Sequence, residues 1–161
     1  MMMGMSRTEM LLLQREFCWD KEEWIVPLSA TLDGLSAQQA AWKPAGGGNS
    51  IWETVRHMNY YNKRVLQRLA GEAVGQADEN AQTFIAEEAQ ESEDEWRAEC
   101  EDVHRLSAEL HQAIAGLSES DLEKPYGSST TCWELAAWVL HDAYHSGQIV
   151  LLRKQQGIWR N

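Results

Sequence analysis

Thr131 to Lys154 reads TCWELAAWVLHDAYHSGQIVLLRK, and the fold class turns on this stretch. Its apolar residues run from Trp133 to Leu152 without the alternation of a half-buried strand. A segment apolar over so much of its circumference reads as a helix packed inside a protein. Thr131 followed by Glu134 has the form of a capping box, in which a hydroxyl and a carboxylate each satisfy one orphan backbone N–H. Gly157 supplies the stop.

The same start signal occurs three times upstream, at Ser6–Glu9, Ser50–Glu53 and Ser92–Glu95. From Ser6, Met10, Leu13, Phe17, Trp24 and Leu28 follow three-four spacing. The second series is Ile51, Val55, Met58, Val65 and Leu69, and the third is Trp96, Cys100, Val103, Leu110, Ile114 and Leu117. Period-two segments are missing, so the expectation is all-α: four long helices and no sheet. A repeat divides the chain. Gly34-Leu35-Ser36 leads through Lys43-Pro44 to Ser50-x-Trp52-Glu53, and Gly116-Leu117-Ser118 leads through Lys124-Pro125 to Thr131-x-Trp133-Glu134. Two related helix-loop-helix halves follow, with Pro keeping each loop out of helix. The segment from about Glu72 to Glu91 is the crossover, with room for a short helix around Thr83 to Glu88. The expected architecture is one domain, residues 1–161, a four-helix bundle with one long crossover between its second and third helices.

Composition removes several classes of function. The net charge is −11, and between Gln76 and Asp102 stand eleven acids and one base, Arg97. No Lys/Arg cluster is present to displace phosphate counterions, so nucleic acid is not an expected partner. The acidic run lacks the D-x-D-x-D-G calcium loop and reads as a solvated face. No apolar run approaches the roughly 20 residues of a membrane span, and no export signal is visible, so no membrane partner is expected. Cys18, Cys100 and Cys132 lack C-x-x-C spacing and read as small buried residues in a reducing, cytoplasmic setting.

Chemistry gathers on histidine. His141 and His145 are four apart in the last helix, which puts both imidazoles on one face. Apolar neighbours, Trp138 and Leu140 before and Ile149, Val150 and Leu152 after, argue against a fully wet face. His57 lies in the equivalent helix of the first half, so a pseudo-two-fold packing of the halves brings it opposite the pair. Two readings are open: a shared divalent transition metal at His57, His141 and His145, or three satisfied core histidines. His104 and His111 sit one position past core residues and read as surface. Asp142 is about 100° around the helix from His141 and makes a poor ligand beside it. Glu53 and Glu134 are explained by capping. Gln148, one turn after His145, can reach the site or bond a neighbouring helix. Tyr60, Tyr61, Trp138 and Tyr144 are candidate pocket residues by proximity.

Trp52 with His57, then His141, His145, Gly147-Gln148 and Leu151-Leu152-Arg153, resemble the DinB/YfiT-like superfamily over essentially the whole chain. The resemblance implies a bundle with a three-His metal site, holding zinc, nickel or iron, on His57, His141 and His145, and often a homodimer. It further implies a metal-dependent enzyme of thiol S-transferase or hydrolase type, with a small-molecule thiol and an electrophilic substrate as partners. No catalytic residue is assigned by it. The alternatives are a non-catalytic metal-binding or interaction bundle and a metal-free bundle.

Overall fold

Side-chain caps decide where the helices of this computed structural model begin. The structure describes residues 4–85 and 92–160. Helix α1 (Arg7–Trp19) starts at Ser6, whose hydroxyl accepts from Glu9 N–H while the Glu9 carboxylate accepts from Ser6 N–H. Helix α2 (Leu28–Leu32) follows Pro27, and α3 (Ala37–Ala41) starts at a second box, Ser36–Gln39. Helix α4 (Ile51–Leu69) is capped by Ser50 and Glu53. A 3₁₀ turn (Asn80–Phe84) lies in the crossover, and α5 (Glu93–Ala115) begins at Ser92–Glu95. Helix α6 (Glu119–Leu122) has the box Ser118–Asp121. Contrary to the expectation of no sheet, a short antiparallel pair, β1 (Pro125–Tyr126) and β2 (Ser129–Thr130), turns directly into α7 (Thr131–Gln155). Gly157, at φ +71°, ends α7, and Ile158 N–H returns to the Arg153 carbonyl at 3.0 Å.

The all-α bundle is therefore present, with four long helices (α1, α4, α5 and α7) and one crossover, and several details are corrected. The first helix stops at Trp19 rather than running to Leu28. Asp20, Glu22 and Glu23 oppose the negative end of the helix dipole there, and Pro27 biases Val26 away from helix. Trp24, placed in the apolar series by its spacing, is 99% exposed. The buried face of α1 is Leu11, Arg15 and Cys18, displaced from the Met10–Leu13–Phe17 series because one core position carries a charge. Thr131–Glu134 is not a capping box. Thr130 is the cap, accepting from Trp133 N–H at 3.4 Å, and Thr131 instead donates to the Lys124 carbonyl at 3.2 Å. The β-hairpin shortens the Pro-to-cap interval by one residue relative to the first half. One residue is about 100° of helix, so Trp52 is buried while its repeat counterpart Trp133 faces out. The crossover element is the 3₁₀ turn Asn80–Phe84, shifted from the expected Thr83 to Glu88, of which residues 86–88 lie outside the described residues.

The core comes in two parts. One holds Ile51, Val55 and Met58 of α4, Trp96 and Val103 of α5, and Ile149 and Leu152 of α7. The other holds Val65 of α4, Leu110 and Ile114 of α5, and Leu135, Trp138 and Val139 of α7. Between these two groups, each long helix contributes buried polar residues: Arg15 from α1, His57, Asn59 and Asn62 from α4, Ser107 from α5, and Asp142, His145 and Ser146 from α7. A polar layer across a bundle core costs desolvation unless its members pair, and this layer contains the candidate site. No helix among the described residues is long and apolar enough to cross a membrane.

Candidate metal centre

His57 enters the polar layer from α4, and His141 and His145 enter from α7, which packs against it. The expected convergence is present. His57 Nε2 lies 2.9 Å from His141 Nε2, and His145 Nε2 lies 3.1 Å from the same atom. His57 is 2% and His145 5% exposed, whereas the His141 side chain is 30% exposed. Two nitrogens bound to one ion at about 2.0–2.1 Å stand about 3 Å apart, so the spacing suits a shared cation.

Proton positions sharpen this. Thr83 donates its hydroxyl to the Asn80 carbonyl at 2.6 Å, so at 2.6 Å from His57 Nδ1 it accepts from the ring. His145 Nδ1 donates to Gln148 Oε1 at 2.7 Å. In neutral rings both Nε2 atoms then carry bare lone pairs. Neutrality is the favoured form: burial pushes His57 down to about 3, helped by the neighbouring imidazoles, and burial lowers His141 and His145 as well. A proton on His141 Nε2 serves one of its two neighbours well and leaves its own buried Nδ1 bare, 4.0 Å from Asp142 Oδ1. The other tautomer puts the proton on Nδ1 and leaves all three Nε2 atoms with bare lone pairs, in a set of ligand atoms that all lie within 4.8 Å of one another. A cation among them satisfies all three nitrogens, so the residues fit a metal ion.

The surroundings hold the rings in place. Phe84 stacks on His57 at 3.9 Å between centroids and 10° between planes, and Tyr61 meets His57 and His141 edge-on. Asp142, buried completely, pairs with Arg15 at 2.7 Å, and Arg15 also donates to Ser107 Oγ at 3.2 Å. Burial pushes the Asp142 carboxyl up and the guanidinium opposes it. Trp138 Nε1 donates to Asn62 Oδ1 at 2.8 Å. As expected from its angle on the helix, Asp142 does not join the three nitrogens.

Other candidates separate cleanly. Tyr61 and Trp138 line a groove of about 730 Å³ that reaches His141. Tyr60 points into a different cavity, of about 850 Å³, and Tyr144 touches His145 edge-on from an exposed position. Gln148 serves His145, Glu53 serves the Ser50 cap, and Glu134 lines the groove instead of capping. His104 and His111 are exposed. Cys18 is buried, Cys100 and Cys132 are half-buried, and all three are free thiols. Thr83, Phe84 and the Arg15–Asp142 pair were not singled out by the sequence. Only Arg15 carried a signal, as the charge standing between Leu11 and Cys18 at helical spacing.

A sequence model described as the DinB superfamily matches residues 27–149, from the start of α2 through most of α7, including all three histidines. No match is found among curated proteins or among solved structures. With the match spanning most of its length and the helical bundle in place, this chain belongs to the DinB superfamily.

Proposed function

We propose that His57, His141 and His145 ligate one divalent transition metal and that the chain is a metal-dependent enzyme of thiol-transferase or hydrolase type. The supporting observation is the meeting of three Nε2 atoms, two with bare lone pairs, beside a groove that reaches His141. Three protein ligands leave room for an outside group, as catalytic sites do and closed structural sites do not. Such an ion, when bound, lowers the pKa of water or of a thiol toward neutrality. The chain's own residues supply the rest. Thr83 and Gln148 fix the tautomers of His57 and His145, and Asp142 stands ready for the Nδ1–H of His141. Phe84 and Tyr61 shield the rings from water on the crossover side.

Elemental analysis of tag-free protein tests the site: about one equivalent of zinc, nickel or iron is expected, and His57→Ala, His141→Ala and His145→Ala each abolish it. Full metal content in all three variants removes the assignment. A screen of thiols against an electrophilic acceptor, with ester hydrolysis in parallel, tests the reaction type.

A non-catalytic role is the second reading, favoured by the way the three rings tie α4 to α7. It predicts a large loss of thermal stability on chelation together with no turnover of any thiol or ester.

A further inference from the structure

The groove beside His141 has a charge pattern that the metal reading leaves unused. Along α4, His57, Tyr61, Arg64 and Arg68 are spaced four, three and four, which places them on one face. Across the groove, α7 contributes Glu134, Trp138 and His141 at intervals of four and three, and the β-hairpin closes one end with Tyr126. The volume of about 730 Å³ is that of a small-molecule site.

Of the nine arginines, Arg56, Arg64, Arg68 and Arg153 have no carboxylate partner among the described residues, and Arg56 and Arg153 donate to backbone carbonyls. Arg7, Arg15, Arg97, Arg105 and Arg160 all have one. Arg64 and Arg68, both half-buried in the groove, form no ion pair among the described residues. Arg64 donates to the Gly75 carbonyl. Arg68 lies over the Tyr126 ring at 4.9 Å, and none of its N–H groups has a protein acceptor among the described residues. Among the described residues Glu134 is the one acid lining the groove and it pairs with neither arginine, so two guanidiniums there face a single carboxylate. A guanidinium stacked on an aromatic ring keeps its donor edge free for a planar bidentate acceptor.

We propose that this groove binds an extended small molecule bearing carboxylate, gripped by Arg64 and Arg68, with its other end at His141. The last clause rests on the metal reading above, while the carboxylate grip stands without it. Arg64 follows His57 by seven residues, about 10 Å of helix. The carboxylate therefore lies on the order of 10 Å from the end that meets the histidines, the span of a tripeptide rather than of acetate.

Glutathione serves as the probe, with S-methylglutathione (no free thiol) and the diethyl ester of S-methylglutathione (carboxylates masked). Binding to the full chain is measured by calorimetry, with metal content and Tm recorded for every preparation. S-methylglutathione is expected to bind at least about tenfold more tightly than its diester, and Arg64→Gln with Arg68→Gln to weaken it at least about tenfold with metal content and Tm unchanged. Equal binding of acid and ester, wild-type affinity in the double variant, or no saturable binding of S-methylglutathione overturns the inference. Glutathione binding no more tightly than its S-methyl form leaves the carboxylate grip in place and counts against a metal-held thiol.

Discussion

At the scale of single residues, the buried ion pair beside the site carries the largest energetic consequence. Arg15 and Asp142 meet at 2.7 Å with almost no exposure. Removing one partner strands the other as an uncompensated buried charge, so Arg15→Met is expected to cost about 3–5 kcal/mol in urea unfolding. Adding Asp142→Leu removes the stranded charge and recovers most of that loss, and a double variant as unstable as the single one would contradict this. The thiols make a separate prediction. Burial pushes Cys18 up to about 11 from its ordinary 9.0 and Cys100 up to about 12. The folded chain keeps the Cys18 proton where the unfolded chain has already released it. This contribution to stability is therefore whole below about pH 9 and is lost as pH rises from there through about 11. Between pH 8 and pH 10.5, wild type is expected to lose about 2 kcal/mol more than Cys18→Ala, measured by urea unfolding. Equal losses in the two proteins would remove the assignment.

At the scale of elements, caps and repeats explain what could be read from the sequence and what could not. Ser6, Ser50 and Ser92 lie where their Ser-x-x-Glu spacing placed them, because that chemistry is local and the sequence contains all of it. Ser50→Ala is expected to destabilise the protein by about 1 kcal/mol, read from the shift in urea midpoint. Thr131–Glu134 misled for a nonlocal reason: the hairpin engages Thr131 with Lys124 and hands the cap to Thr130. Helix α1 was harder, since a charge in the core hid its buried face and Trp24 imitated the period beyond its end. Trp24→Ala is expected to lie within about 0.5 kcal/mol of wild type, while Trp52→Ala costs about 3–5 kcal/mol, by the same unfolding measurement. The histidine trio was visible as residues and spacing. The Thr83 and Phe84 contacts were not, because a crossover turn carries no periodicity from which its docking could be inferred.

At the scale of the whole molecule, the polar layer divides the core, and the three imidazoles within it link α4 to α7. On the metal reading, chelation followed by dialysis is expected to lower stability by about 3 kcal/mol where free metal had stood at about 100 times Kd. His141→Ala removes that sensitivity, and differential scanning calorimetry reads both. The order in which the chain is made also matters. His57 belongs to an early helix and His145 to the last one, with Thr83 steadying the first ring from between them. A ribosome-bound nascent chain therefore has no complete set of donors until residue 145 has been polymerised and α7 has docked. On the metal reading, loading waits for α7 to be made and docked, and a chain stalled before residue 145 has no site to fill.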